Sequence, residues 1–465
     1  MVARHVHPDS IRDLFSRAMS DMYRAEVPQY GTLLELVADV NAVTLRADSA
    51  LRAMLEQGCE IERLGIERHG AIRLGAAQEL FDMRRVFAVM GMYPVGYYDL
   101  SIAGVPVHST AFRPIAEGAL RRNPFRVFTS LLRLDLIEDL ALRAEAEAIL
   151  AARQIFTPRV LELVDVFEAE GGLTRPEAEE FVRATLDTFR WHSVATVDLD
   201  TYQKLHRTHR LVADIVSFKG PHINHLTPRT LDIDAVQAGM PQCGITPKAV
   251  IEGPPRRKCP ILLRQTSFKA LDEPIAFSHS AGNVASGTHT ARFGEIEQRG
   301  VALTTTGRSL YDQLLATVRR DVQLGALDPN AVAYEVELSE RFQSFPDDWA
   351  ELRRRGLAFF RYSATATGLT SSPCCESLCE LIARGFLRFD PIVYEDFLPV
   401  SAAGIFQSNL GTDEQKNYSA HSNRGQFEEA LGAVVQDELE LYEKGEKVSL
   451  ERALKQLGSP QIAFA

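Results

Sequence analysis

The amino-acid sequence predicts an α+β fold in which a strand–helix–strand–strand–strand unit occurs twice. Short segments rich in β-branched and aromatic residues follow one another with Gly or Asn between them, and the same order of elements returns after a long helical block. A His-x3-Arg spacing also occurs near the start of both units, at His69–Arg73 and His225–Arg229. We therefore expect two related units in one chain.

The composition indicates a globular protein. The chain has 465 residues, of which 45% are hydrophobic and 24% charged, and its formal net charge is −11. Nucleic acid and anionic membranes bind clustered Lys and Arg, so neither is an expected partner. The sequence has neither an apolar run of about 20 residues nor a signal-peptide pattern. We expect a soluble, cytoplasmic protein, and the charge still allows a small anionic substrate, because one or two buried arginines can hold it.

The N-terminal region, residues 1–60, is predicted to be helical because apolar residues recur at helical spacing in 10–23 and 33–40. The first unit, residues 61–134, follows. Its predicted elements are a strand at 66–74, a helix at 76–90 and strands at 93–100, 105–113 and 124–134.

Residues 135–215 are predicted to be a helical insertion. Two helix starts are visible in it, at Thr157-Pro158 and at Thr174-x-Pro176, because each places a hydroxyl residue before an early helix proline. The second unit covers residues 216–305. Its predicted elements are a strand at 222–231, a short helix at 234–238, strands at 260–270 and 273–278, and one long final strand at 288–304.

Residues 306–465 are predicted to form a C-terminal α/β extension. Its expected elements are helices at 309–324, 426–443 and 449–457 and strand-like pieces at 333–338 and 358–362. We expect all five parts to pack into one compact unit.

A histidine and an arginine on the first strand are candidates for a binding site. Side chains at positions i and i+4 of a strand point to the same face, so His69 and Arg73 are expected to project into one cavity. A neutral imidazole is a good ligand for a divalent transition metal, and an arginine fork can hold a carboxylate. Taken alone, this segment is more typical of a solvated edge strand.

The second unit offers His225 at the matching place, with His222 on the opposite face of an extended strand. Because Arg229 follows His225 by four residues, we expect His225 to point inward. The last strand carries Glu295 and Glu297 on one face, and a buried carboxylate has to be paired or bound to a metal. Two histidines and one carboxylate from separate strands make a facial triad, which suits non-haem Fe(II). Pairing of either glutamate with a nearby arginine is the structural alternative.

Four ordered segments resemble the 2-oxoadipate dioxygenase/decarboxylase family of the vicinal oxygen chelate superfamily. They are Arg68-His-Gly-Ala-Ile-Arg73, Gly220-Pro-His-Ile-Asn-His-Leu-Thr-Pro-Arg229, Gly294-Glu-Ile-Glu-Gln-Arg-Gly300 and Phe397-Leu-Pro-Val-Ser-Ala-Ala-Gly404. The resemblance covers nearly the whole chain and implies paired βαβββ modules that form a curved sheet around a metal cavity. The third segment is also similar to the metal-binding strand of 4-hydroxyphenylpyruvate dioxygenases, where the first glutamate is the ligand. This similarity favours Glu295 over Glu297.

The resemblance also implies a site and a reaction. The implied ligands of Fe(II), the single expected cofactor, are His69, His225 and Glu295. His69 and Arg73 would contact the substrate, Arg73 by holding its carboxylate, and a turn at Val400 and Ser401 would close the pocket. The implied reaction converts 2-oxoadipate and O2 to (R)-2-hydroxyglutarate and CO2, on a route of lysine catabolism.

Three alternatives stay open at this point. One is a dioxygenase of the same fold that acts on another 2-oxo acid, although Arg73 favours a diacid. The second is a metal-dependent isomerase or lyase. The third is a non-catalytic protein that sequesters a ligand, which the complete set of metal ligands disfavours. Mn, Co or Ni would fit the same ligands as Fe.

Overall fold

A computed structural model describes residues 5–58, 60–278, 284–321, 331–371, 377–398 and 423–459. These residues form a mixed α+β structure with one five-stranded sheet, one three-stranded sheet and two two-stranded sheets. The predicted α+β class is therefore confirmed. None of the helices in these ranges is both long and apolar enough to cross a lipid bilayer.

Helices precede the first strand, as predicted. They are α1 (Pro8–Glu26), α2 (Pro28–Ala47), α3 (Ser49–Gln57) and the short α4 (Ile61–Leu64). Helix α1 is amphipathic, and its residues Ile11, Phe15 and Met19 are fully buried at intervals of four. The guanidinium of Arg12 is also buried, and it donates hydrogen bonds to the backbone carbonyls of Met90, Ala119 and Asn123. Helix α1 is thereby fixed against the first sheet.

The first unit has the predicted order of elements. They are β1 (Arg68–Leu74), α5 (Ala77–Val89), β2 (Tyr93–Asp99), β3 (Val107–Arg113), α6 (Glu117–Arg122) and β4 (Arg126–Leu132). The strands pair in the order β2-β3-β4-β1, with β4 parallel to β1 and the other neighbours antiparallel. On β1, Ile72 and Leu74 join the largest hydrophobic core, whereas Ala71 joins a second core on the opposite face. His69 and Arg73 share the face of Ala71.

Residues 135–215 are mostly helical, as predicted, with one short strand among the helices. Their elements are α7 (Leu140–Ala152), α8 (Pro158–Glu170), α9 (Arg175–Phe189), the two-residue strand β5 (Val194–Ala195), α10 (Leu199–Thr208) and α11 (Arg210–Val216). Both predicted helix starts are found. The side chain of Thr157 accepts a hydrogen bond from the backbone N–H of Val160, and Thr174 forms a capping box with Glu177.

The second unit departs from the prediction in two strands. Its elements are β6 (Leu226–Pro228), α12 (Ile233–Gly239), β7 (Leu263–Ser267), β8 (Leu271–Ser278), β9 (Val284–Arg292) and β10 (Glu295–Arg299). The strand expected at 222–231 is wrong over most of its length, because residues 222–225 precede the short β6. The single final strand expected at 288–304 is also wrong, since β9 and β10 belong to different sheets. Strand β9 ends at Arg292 and β10 begins at Glu295. Gly294 lies between them, and a Cβ atom at this position would lie 2.3 Å from the ring of Phe268.

Strand pairing joins the two units. Strand β6 is antiparallel to β1, with His69 opposite Thr227. A parallel bridge between Arg229 and Glu297 connects β6 to β10, and β10 is antiparallel to β7. Antiparallel bridges then join β7 to Pro247 and Glu252. Strands β8 and β9 form a hairpin in a separate sheet with β5, so the expected strand at 273–278 lies outside this series.

The C-terminal region has more helix than predicted. Its elements are α13 (Thr305–Asp321), α14 (Ala331–Arg341), α15 (Trp349–Arg354), β11 (Phe360–Ala364), α16 (Ala366–Ser371), α17 (Leu378–Ala383), β12 (Leu387–Pro391), α18 (Arg424–Leu431) and α19 (Glu438–Gln456). The strand expected at 333–338 is wrong, because these residues belong to helix α14. Tyr334 and Leu338 are four residues apart and both are buried, as expected for one face of a helix. The break expected between 443 and 449 is absent, since buried Tyr442, Glu446 and Leu450 follow helical spacing.

Gly70 allows the close approach of β1 to the second unit. A Cβ atom at this position would lie 2.6 Å from Cδ1 of Ile223 and 2.9 Å from the carbonyl oxygen of His225. We predict that Gly70→Ala lowers the free energy of unfolding by about 1–3 kcal/mol, because the added methyl group pushes the strands apart. Urea unfolding followed by circular dichroism measures this.

Gly445 in α19 provides the matched control. No atom lies within 4 Å of a Cβ built there. Gly445→Ala should stabilise the protein by about 0.5–1 kcal/mol, as expected for a glycine inside an exposed helix. A Gly70→Ala protein as stable as the unsubstituted chain would contradict the assigned contact between β1 and the second unit.

Candidate metal centre

Three side chains converge where the two units meet. His69 lies on β1, His225 directly precedes β6, and Glu295 is the first residue of β10, and all three are fully buried. One ligand atom from each lies within 4.8 Å of the others. Oε2 of Glu295 is 3.0 Å from Nε2 of His69 and 3.2 Å from Nε2 of His225. The structure therefore brings together the three residues that the sequence predicts as metal ligands.

Two hydroxyl side chains support this group, one by contacting a member of it and one by contacting the backbone beside it. The hydroxyl of Thr227 donates a hydrogen bond of 3.0 Å to Oε2 of Glu295. The hydroxyl of Tyr23 on α1 lies 2.9 Å from the carbonyl oxygen of Asn224 and 2.7 Å from that of Phe293. Because these carbonyls directly precede His225 and the Gly294 break, Tyr23 ties the two ligand segments together.

Several polar atoms of this group fit a bound cation. Among the described residues, Nε2 of His225 and Oε1 of Glu295 are buried and have no hydrogen-bond partner. Buried lone pairs without a partner are costly, and a metal ion removes that cost by binding them. Two imidazole nitrogens and one carboxylate leave three positions of an octahedral metal open, which is the arrangement typical of non-haem Fe(II) oxygenases. The residues present therefore fit a divalent transition metal.

The protonation of His225 also suits a metal. Burial lowers the pKa of His225 well below its ordinary value, and the adjacent His69 lowers it further. The imidazole is therefore neutral near pH 7, which is the form that binds metals. Burial opposes protonation of His69 as well, but the carboxylates of Glu297 and Glu295 outweigh burial and raise its pKa.

Glu297 has a different environment from Glu295. Its Oε2 lies 2.8 Å from Nδ1 of His69, and Arg299 donates hydrogen bonds of 2.8 and 2.7 Å to its two oxygens. Burial acts to raise the pKa of Glu297, but Arg299 and His69 lower it to about 2. Glu297 is thus ionised and paired with Arg299. It contacts Nδ1 of His69, whereas Glu295 contacts Nε2 of the same ring. The geometry favours Glu295 as the metal ligand, which the residues alone left open.

Arg73 projects from β1 toward a carboxylate of the helical insertion. Its Nη1 donates hydrogen bonds of 2.6 Å to Asp214 on α11 and 2.9 Å to the side chain of Asn224. Asp214 also accepts a hydrogen bond of 2.8 Å from Nε2 of His289. His222 lies beside it, with Nε2 3.4 Å from Oδ1 of Asp214. Neither Asp214 nor His289 was predicted as a site residue, because neither belongs to a recognisable motif.

Arg229, which matches Arg73 in the predicted second unit, has different partners. Nη1 of Arg229 donates to Glu60 and Glu67 at 2.8 and 3.0 Å, away from the three ligands. The His-x3-Arg spacing therefore places its two arginines in different environments. Val400 and Ser401 lie outside the described residues.

We predict that a divalent metal stabilises this protein through His225. Bound at about 100 times its Kd, one metal ion should add about 2.7 kcal/mol to the free energy of unfolding. Thermal melts with and without Co(II) should show a rise in Tm for the unsubstituted chain and none for His225→Gln. His108→Gln is the matched control, because His108 is also buried but lies on β3 outside the group. An equal rise in Tm for His225→Gln would contradict the assignment.

Comparisons with known proteins identify the family of this chain. Residues 15–409 match the sequence model of the family described as 2-oxoadipate dioxygenase/decarboxylase. The chain is 58% identical over 455 residues to a Pseudomonas putida protein with that name, across 97% of this chain and 98% of the relative. It is 40% identical over 449 residues to a Mycobacterium bovis protein with that name, across 95% of this chain and 97% of the relative.

A solved structure has a similar fold. The fold is similar to the crystal structure of the hydroxyglutarate synthase from Pseudomonas putida in complex with 2-oxoadipate, with a TM-score of 0.90 and 56% identity. The similarity covers 98% of this chain and 99% of that chain. The motifs around His69, His225 and Glu295 predicted the same family. This chain belongs to the 2-oxoadipate dioxygenase/decarboxylase family.

Proposed function

We propose that this protein is an Fe(II)-dependent dioxygenase/decarboxylase that converts 2-oxoadipate and O2 to (R)-2-hydroxyglutarate and CO2. The observation that carries the proposal is the buried group of His69, His225 and Glu295 in a member of this family. The similar protein from Pseudomonas putida has been crystallised with 2-oxoadipate. The reaction balances, because C1 leaves as CO2 with its own two oxygens, while both atoms of O2 enter 2-hydroxyglutarate, one in the new carboxylate and one in the hydroxyl group.

The side chains of the centre have separate roles in this proposal. His69, His225 and Glu295 hold the metal and leave three positions open for the 2-oxo acid and O2. Bound Fe(II) would supply a chelation point for the 2-oxo acid and the activation of O2. The rings of Phe397 and Phe293 pack 5.0 Å from His69 and 4.8 Å from His225, so they exclude water from one side. Val400 and Ser401, which lie outside the described residues, are proposed to contact the substrate.

Arg73 is proposed to hold the second carboxylate of the substrate. Asp214 and Asn224 fix the position of its guanidinium, which limits the length of acid that reaches both the metal and Arg73. Asp214 also balances the charge of Arg73. Because Asp214 already pairs with Arg73, a second candidate function is that the same centre acts on a 2-oxo acid without a second carboxylate.

Finer features of the fold belong to the same proposal. The series from Pro247 and Glu252 through β7, β10 and β6 has the pairing directions of β2, β3, β4 and β1, which supports paired βαβββ modules. We propose modules at 61–134 and 216–305, with the N-terminal helices at 1–60, the insertion at 135–215 and the extension at 306–465 around them. A cytoplasmic location and a role in lysine catabolism complete the proposal.

Oxygen uptake tests the reaction. The protein reconstituted with Fe(II) should consume O2 when 2-oxoadipate is added, and mass spectrometry should find one 2-hydroxyglutarate per O2. Chiral chromatography should identify the R isomer. Glu295→Gln should lose iron and turnover together, because the substitution removes one of three ligands. An active His69→Ala protein without metal would contradict the proposal.

Arg73→Gln tests substrate choice. We predict that kcat/KM for 2-oxoadipate falls about 100-fold, because a buried charge-assisted contact is lost. The matched substrate is 2-oxohexanoate, which has the same length and no second carboxylate, and its kcat/KM should change little. Equal losses for the two acids would assign Arg73 a structural role.

A further inference from the structure

A cluster of buried ion pairs extends from His69 to a large cavity. Its members are four arginines and four glutamates, so their formal charges balance: Arg63, Arg126, Arg229, Arg299, Glu60, Glu67, Glu297 and Glu395. Among them, Glu67 accepts from Arg63, Arg126 and Arg229. Several members also line a cavity of about 1400 Å³ that does not include the three candidate ligands. We call this set the arginine–glutamate cluster.

Glu297 is the member of this cluster that contacts a candidate ligand. Its Oε2 lies 2.8 Å from Nδ1 of His69, while Nε2 of the same ring lies 3.0 Å from Glu295. Arg299 holds both oxygens of Glu297, and Nη1 of Arg126 lies 3.4 Å from Oε1. The distance from Nδ1 to Glu297 is within hydrogen-bond range, but the angle at the ring nitrogen is not that of a hydrogen bond.

Arg299 is itself held from several sides. Its Nη1 donates hydrogen bonds of 2.7 and 3.0 Å to the backbone carbonyls of Tyr394 and Asp396. Its guanidinium also lies 5.7 Å from the ring centre of Phe397, which packs edge-on against His69. The imidazole of His69 is therefore placed between Phe397 and a carboxylate whose own position is fixed by an arginine.

We propose that Glu297 is a positioning residue for the metal centre, which holds the His69 ring through Nδ1 so that Nε2 faces the metal. A carboxylate at Nδ1 keeps the proton on that nitrogen, leaves Nε2 with its lone pair, and makes the imidazole a stronger ligand. The inference rests on the proposed metal site. It adds that Glu297 sets the affinity and the geometry of that site without binding the metal.

Co(II) binding to the intact protein tests this role. Competition with a chelator gives the affinity, and the visible absorption bands of Co(II) report the ligand geometry. Glu297→Gln should bind Co(II) about 10- to 100-fold more weakly than the unsubstituted chain and should shift the bands. Glu297→Asp keeps the charge near Arg299 but shortens the side chain away from His69, so it should also weaken binding. This second variant covers the case in which Glu297→Gln does not fold.

Glu60→Gln is the matched control. It removes one carboxylate from the same cluster, but Glu60 forms its ion pairs with Arg63 and Arg229 rather than with His69. Glu60→Gln should therefore keep the affinity and the bands of the unsubstituted chain, with circular dichroism to check that each variant is folded. Weaker binding with shifted bands in both Glu297 variants and not in Glu60→Gln supports the proposal.

Other outcomes overturn it. Unchanged Co(II) affinity in either folded Glu297 variant would show that the contact with His69 is only structural. Equal weakening in Glu60→Gln would assign the effect to the charge balance of the cluster. If the unsubstituted chain itself does not bind Co(II), the proposed function fails as well, whereas normal binding in that chain confines a failure to the role of Glu297.

Discussion

The antiparallel contact between β1 and β6 is the constraint on which the candidate site depends. It pairs His69 with Thr227 and Gly70 with Leu226, and it places His225 beside β1 although the two histidines are 156 positions apart in the sequence. The absence of a side chain at Gly70 allows this approach, since a Cβ atom would meet the backbone of His225. The bridge from β6 to β10 then brings Glu295 to the same point. The three candidate ligands therefore lie on paired strands or, in the case of His225, directly before one.

Glu295 and Glu297 of β10 are both buried, but they have different charged partners. Glu297 is ionised beside Arg299 and Arg126, and it belongs to a cluster in which the charges balance. Glu295 contacts two imidazoles and a hydroxyl instead, and its Oε1 has no partner among the described residues. Burying an ion pair costs desolvation energy, so such a cluster is a poor source of stability. Its position beside His69 is consistent with a role in holding the metal centre.

The sequence predicted the elements whose signals are local. Helix starts at Thr157 and Thr174 and the strands of the first unit depend on caps, turns and residue preference within a few positions. Between β9 and β10, Gly294 lies against the ring of Phe268, and no local pattern in the sequence shows the division of the two strands. His69 and Glu295 were predicted from motifs and lie together in the structure, whereas Asp214 and Tyr23 were not predicted. Their partners lie 141 and 201 or more positions away, and only tertiary packing brings them together.

The central claim is that His69, His225 and Glu295 bind one metal ion at the junction of the two units. Anomalous diffraction at the iron edge, from crystals grown with Fe(II) under anaerobic conditions, tests it most directly. The account predicts one strong peak per chain, about 2.1 Å from Nε2 of each histidine and from a carboxylate oxygen of Glu295. A peak coordinated by other side chains, or none at this position in iron-loaded crystals, would contradict it.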